Sequence, residues 1–212
     1  MKNILCSICM RSGSIGLRNK HIKKLGNKPL MYHTIDFVKS LNLFKYIVVS
    51  SDSKKILNLS RKKKIKNLIL RPKSLSTSKT PKLEVLKHAL FSMEKKFGIK
   101  FDYLVDFDAT SPIRDKKDFI QALKIFFKKK ADLLITSTPS RKNPYFNIIE
   151  IKKNTINLVK KGNFKRRQDT PKTFDMNASF YILKRKHLLN CKRLISKNSI
   201  AYVMPKTSAY DI

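Results

Sequence analysis

The chain has 212 residues, 42% of them hydrophobic, and a formal net charge of +34. That length fits one domain and buries about 70% of the unfolded chain's surface, and the apolar content excludes a disordered chain despite the charge. No apolar run approaches the roughly 18–20 residues of a membrane span, and the start Met1-Lys2-Asn3-Ile4-Leu5-Cys6 lacks the length and cleavage site of a secretory signal.

The segment from Asn3 to Met10 is short and mostly apolar, and reads as a buried parallel strand. A small, basic loop follows from Arg11 to Lys20, holding two of only five glycines. Pro29 suits the first turn of a helix that runs on through Val38. Tyr46 to Asp52 is a strand entering a polar turn, Lys54 to Lys64 a helix, and Asn67 to Leu70 a third strand. Leu83, Leu86, Leu90 and Met93 give Lys82 to Lys96 helical period. Tyr103 to Asp108 is a strand, Asp115 is placed to cap a helix to Lys129, and Leu133 to Ser137 is a further strand. The last third differs. Phe146–Ile151 and Ile156–Val159 read as a hairpin around Lys152-Lys153-Asn154, and Phe180–Leu183 and Ile200–Met204 as late strands.

Alternating strands and helices predict an α/β fold, a mostly parallel sheet sandwiched by helices. Ligands bind such sheets beyond the carboxyl ends of the strands. The loops Arg11–Lys20, Ser50–Ser53, Arg71–Thr80 and Asp106–Arg114 should therefore gather on one rim. No low-complexity linker interrupts the chain, which predicts one compact domain over 1–212.

The charge comes from 38 Lys against 10 Arg, spread along the whole chain. Base and phosphate recognition leans on Arg forks, so this pattern reads as compositional bias and predicts no specific nucleic-acid partner. Three cysteines are too few for a disulfide framework, and Cys6-x-x-Cys9 has no second pair to complete a zinc site. The expectation is a reducing, cytoplasmic setting with no membrane partner.

In the first loop, Ser12, Gly13, Ser14 and Gly16 let backbone amides approach an anion, with Arg11 and Lys20 bracketing them. The pattern is neither a Walker loop nor G-x-G-x-x-G. The run Arg11–Ile22 resembles the A-R-x-G-S-K-G-x-x-x-K-N signature of the acylneuraminate cytidylyltransferases. The resemblance continues in order. Val49–Ser53 is similar to V-S-T-D-S, Arg71–Ser78 to R-P-x-x-L-A-x-D, and Asp108–Arg114 to Q-P-T-S-P-L-R. Arg166–Lys172 is similar to R-R-Q-x-x-P-K, Asn177–Ile182 to N-G-A-I-Y-I, and Tyr210-Asp211-Ile212 to the start of D-I-D. Asp106–Ala109 and Arg141–Asn147 look nearest to the legionaminate-activating branch.

The resemblance implies a Rossmann-like domain with a small dimerisation extension near 140–180, and a homodimer. It implies transfer of CMP from CTP to a nonulosonic acid, with release of pyrophosphate and with Mg2+, for cell-surface glycan biosynthesis. Arg11 and Lys20 would hold the triphosphate with Ser12, Gly13, Ser14, Gly16 and His21, while Arg71, Ser78 and Thr80 would frame the cytosine. Asp211 would hold the metal, completing a catalytic set with Arg11 and Lys20. Asp108, Thr110, Ser111, Asn143, Tyr145, Arg167, Gln168 and Asn177 would line the sugar pocket, with an Arg fork suited to the sugar carboxylate.

Departures from the pattern set further expectations. The family's loop lysine is Ile15, its Asn is His21 and its base-segment Asp is Ser78. Asp108 replaces Gln and sets a carboxylate near an acidic substrate, a repulsion that a proton or a hydroxyl hydrogen bond must resolve. The sequence stops one residue before the family's second metal-binding Asp and before its final helix, which predicts weak metal binding and reduced or absent activity. The alternatives are an impaired homologue and a Kdo cytidylyltransferase.

Overall fold

A computed structural model describes residues 2–13 and 16–212. The chain opens with β1 (Ile4–Cys9), and a small hairpin of β2 (Lys24–Leu25) and β3 (Lys28–Pro29) follows. Gly26 turns that hairpin at a φ of 63°, a conformation that costs glycine nothing. Then come α1 (Leu30–Ser40), β4 (Tyr46–Ser51), α2 (Lys54–Lys62), β5 (Asn67–Leu70), α3 (Lys82–Phe97), β6 (Tyr103–Phe107), α4 (Lys116–Lys128) and β7 (Leu133–Pro139). The hairpin β8 (Ile149–Lys152) and β9 (Thr155–Leu158) leads to β10 (Phe174–Lys184), α5 (Arg185–Asn190) and β11 (Ser199–Val203).

Local chemistry sets several boundaries. The Asp115 carboxylate accepts from the Lys117 amide at 2.8 Å and starts α4, as its position in the sequence predicts. Gly98 ends α3 at a φ of 64°, its amide returning to Glu94 O at 2.9 Å.

Seven strands form the main sheet in the order β11-β7-β10-β6-β1-β4-β5. All neighbouring pairs run parallel except those of β10, which is antiparallel to β6 and β7. Neighbouring residues on each strand pack on opposite faces. Cys6, Val49, Val105 and Leu134 meet α1, α2 and α4, whereas Leu5, Val48, Leu104 and Leu133 meet α3 and α5. On the first face Phe107, Phe119 and Phe180 pack with ring centroids 5.2–5.7 Å apart. Each ring contributes about 1.5–3 kcal/mol by burial alone. Cys6 and Cys9 fall on opposite faces of β1 and so cannot share an ion.

β10 is longer than Phe180–Leu183. Its first half, Phe174–Met176, is exposed and pairs only with β7, and a register shift between Met176 and Tyr181 breaks the apolar alternation there. α5 has six residues, too few to show a helical period. Among the described residues no helix is long and apolar enough to cross a membrane.

Candidate active site

The chain leaves β1 toward β4 and β5 on one side and β6 lies on the other, so the strand order reverses at β1. Such a reversal opens a crevice at the carboxyl edge. A cavity of about 590 Å³ lies there, and Arg11, Gly16, Lys20, His21, Arg71, Lys82, Asp108, Thr110 and Asp211 all line it. The loops after β1, β5 and β6 do meet on one rim.

Asp52, just after β4, holds the first loop. It accepts from the Ser12 amide at 2.8 Å and the Ser12 hydroxyl at 2.6 Å. Burial works against its charge, but the two Ser12 bonds outweigh that and lower its pKa. Arg11 donates to Thr77 O at 2.7 Å and ties the loop to the segment after β5. Among the described residues nothing lies within 4 Å of where a Cβ on Gly13 or Gly16 would sit. Ser12 and Gly13 do not themselves line the cavity. Ser14 and Ile15 lie outside the described residues.

Arg71 is 4% exposed. Its guanidinium donates to Met10 O at 2.8 Å, Ser50 O at 3.3 Å and Ser76 Oγ at 3.0 Å. It thus clamps the ends of β1 and β4 beneath the cavity. Ser78 is exposed, and Thr80 closes a hydroxyl contact with Thr77 at 2.9 Å; neither lines the cavity.

His21 is 4% exposed and its Nδ1 has no partner among the described residues. Burial lowers its pKa from 6.5 to about 4; Asp108 opposes this, while Lys20 and Arg11 reinforce it. The ring is therefore neutral near pH 7. Lys20 donates to Ile212 O at 2.7 Å, and the Ile212 amide donates to Thr110 O at 3.1 Å, which brings Asp211 to the cavity wall.

The sequence reading missed Lys82. Its ammonium lies 2.9 Å from Asp106 Oδ2, 3.4 Å from Asp108 Oδ2 and 4.1 Å from the Tyr181 ring centroid. Burial disfavours its charge, but Asp106 and Asp108 more than offset this and raise its pKa. Its place as the first residue of α3 is no signal by itself, since Lys54 and Lys116 begin α2 and α4 in the same way. Asp108 is also ionised. Burial would raise its pKa, but Lys82, the Thr110 hydroxyl and amide, and Arg114 lower it. Arg114 is used by backbone and hydroxyls, donating to Ser179 O at 2.8 Å, to Thr34 Oγ1 at 2.8 Å and to Asp108 O.

The residues expected around a sugar divide. Asp108 and Thr110 line the first cavity, while Asn143, Arg167 and Gln168 line a second of about 700 Å³. Arg166 is taken by Asp169 at 2.9 and 3.1 Å, which leaves Arg167 as the cavity-lining guanidinium of the pair. Arg167 and Tyr210 line a third cavity of about 570 Å³, and Tyr210 adjoins Asp211 of the first. Ser111, Tyr145 and Asn177 line none of these. Ser111 is buried with its hydroxyl unpartnered among the described residues. Tyr145 packs edge-on against Phe164 with centroids 5.5 Å apart. Asn177 donates to Ser208 O at 3.0 Å and so braces the segment before Asp211.

A cation-rimmed crevice at the reversal point of an open α/β sheet defines a nucleotide-binding α/β protein. The chain belongs to the cytidylyltransferase family, whose model matches residues 5–203. It is 40% identical over 212 residues to the CMP-N,N'-diacetyllegionaminic acid synthase of Campylobacter jejuni, covering 100% of this chain and 90% of that protein. It is 39% identical to post-translational flagellin modification protein B of Campylobacter coli, with the same coverage. Its fold is similar to that of CMP:2-keto-3-deoxy-manno-octonic acid synthetase, with a TM-score of 0.69 at 12% identity, over 96% of this chain and 90% of that one.

Proposed function

We propose that the protein activates a nonulosonic acid with CTP, releasing a CMP-sugar and pyrophosphate, and that the acid is of the legionaminic type. The observation that carries the reading is the joining of Arg11, Lys20, Asp108 and Asp211 at one cavity in a chain 40% identical to a legionaminate-activating enzyme. The Kdo alternative has less support, since the likeness to the Kdo enzyme is at 12% identity.

Arg11 and Lys20 neutralise the triphosphate, and Gly16, which lines the cavity without a side chain, lets it approach the backbone amides. The anomeric oxygen of the acid bonds to the α-phosphorus as the bond to pyrophosphate breaks, and the hydroxyl proton passes to solvent. Such a step depends on positioning and charge neutralisation rather than covalent catalysis. Among the described residues no group of three or more His, Cys, Asp or Glu comes together for a metal. Mg2+ takes one or two carboxylates plus substrate phosphates and water, and the carboxylate of Asp211 at the cavity wall is a hard oxygen donor of that kind. Asp211 would hold it, and further neutralisation of the triphosphate is what the ion supplies when bound.

The second and third cavities extend this site, with Arg167 for the acid's carboxylate and Gln168 beside it. Residues 1–212 act as one domain, with about 140–180 as an arm. A homodimer through that arm fits the hairpin β8–β9, whose Ile151 and Ile156 are 72% and 69% exposed.

Pyrophosphate release from CTP and Mg2+ with legionaminic, pseudaminic, neuraminic and Kdo acids tests the reading. Release is expected with the legionaminic acid, and its abolition by EDTA. No release with any acid, together with no CTP binding by calorimetry, overturns it.

A further inference from the structure

We infer that Lys82 is a positioning residue of the acceptor pocket: clamped between Asp106 and Asp108, its ammonium aims the Asp108 carboxylate at a hydroxyl of the sugar acid and cancels that carboxylate's repulsion of the acid. The inference rests on the cytidylyltransferase reading above.

The two carboxylates are held unequally. Asp106 is 1% exposed, with Oδ1 accepting from Ser7 Oγ at 2.7 Å and Oδ2 from Lys82 at 2.9 Å. Both of its oxygens are occupied, so it anchors the lysine and offers nothing to a ligand. Asp108 lines the cavity, its side chain 26% exposed. Its Oδ1 accepts from the Thr110 amide and hydroxyl at 3.2 and 3.0 Å, which fixes the carboxylate plane. Its Oδ2 meets Lys82 only at 3.4 Å, which leaves that oxygen able to accept from a hydroxyl in the cavity.

The charge balance around Asp108 includes every packed element. Asp106 lies on β6, Arg114 precedes α4, His21 is neutral on the turn after β1, Tyr181 is un-ionised on β10, and Asp211 comes from the terminal segment. Arg114 gives its donors to Ser179, Thr34 and the Asp108 carbonyl, away from the cavity. Among the described residues Lys82 is thus the cation in contact with the Asp108 carboxylate. It also explains how a carboxylate can replace the neutral amide of the family pattern without repelling an acid.

Removing Lys82 alone strands the buried Asp106, so the test is made in an Asp106→Asn background. Pyrophosphate release is measured at saturating CTP while the acceptor acid is varied. Adding Lys82→Met should raise the acceptor KM by about ten-fold while kcat falls less than about three-fold. Adding Asp108→Asn to that protein should recover at least half of the logarithmic loss, because the uncompensated charge is gone. Lys82→Arg in the wild-type chain should keep the acceptor KM within about three-fold. An unchanged KM in the Lys82→Met protein, or strictly additive effects of Lys82→Met and Asp108→Asn, overturns the inference. A wild-type enzyme silent with every acid counts against the functional reading. In that event thermal melts decide the pairing on their own. Asp108→Asn should raise the melting temperature of the Asp106→Asn/Lys82→Met protein, and no rise overturns it.

Discussion

Acidification should destabilise this protein through His21. The unfolded imidazole takes up a proton near pH 6.5, whereas the native one waits until about pH 4. Between those values the unfolded chain binds more protons, so His21 contributes its full stability above pH 6.5 and loses it as the pH falls toward 4. The gap from 6.5 to about 4 corresponds to about 3 kcal/mol in total, of which about 2 kcal/mol is lost between pH 7.5 and pH 5. Urea unfolding of the wild type and of His21→Gln at both pH values isolates this contribution, because the carboxylates and His88 titrate alike in the two proteins. The wild type should lose about 2 kcal/mol more than the variant on going to pH 5. Equal losses, or an imidazole midpoint near 6.5 in an NMR titration of the native protein, would refute the burial argument.

Arg71→Lys keeps the charge but cannot span Met10 O, Ser50 O and Ser76 Oγ, so it should cost about 2–3 kcal/mol, seen as a fall in Tm of about 5–10 °C. Asp52→Ala removes both acceptors of Ser12 and should weaken CTP binding about ten-fold in calorimetry, with Asp52→Asn recovering part of it. Ile151→Lys with Ile156→Lys should convert a dimer to a monomer by light scattering, with protomer stability changing by no more than about 0.5 kcal/mol.

Much of the scaffold was legible because buried parallel strands write short apolar runs, as in Tyr46–Ser51 and Leu133–Pro139. Helix starts were legible where a side chain caps them, as Asp115 does. The direction of β10 was not, since an apolar run such as Phe180–Leu183 is the same in either orientation. Three of the four strand-end loops, those after β1, β5 and β6, meet at the first cavity and bring Arg11, Lys20, Arg71 and Asp108 together, while Asp211 joins them from the terminal segment. Spacing along the chain did not foretell that Asn143, Arg167 and Gln168 line a different one. The arm folds on itself through contacts such as Asn143 Nδ2 to Pro171 O at 2.9 Å, which no periodicity encodes. Lys82 escaped notice because, among so many lysines, one half-buried between carboxylates differs from the rest only in its neighbours.

The reversed course of β10 has a consequence for how such an enzyme can diversify. Because β10 opposes β7, the segment between them leaves and re-enters the sheet at adjacent points, with Pro139 paired to Phe174 and the Ser140 amide bonded to Thr173 O at 3.0 Å. The arm is a closed cassette on a two-stranded stem. Lengthening or exchanging it alters neither the strand order nor the loops that meet at β1. The arm can therefore change in length and sequence on its own, while the strand-end loops around the first cavity stay as they are.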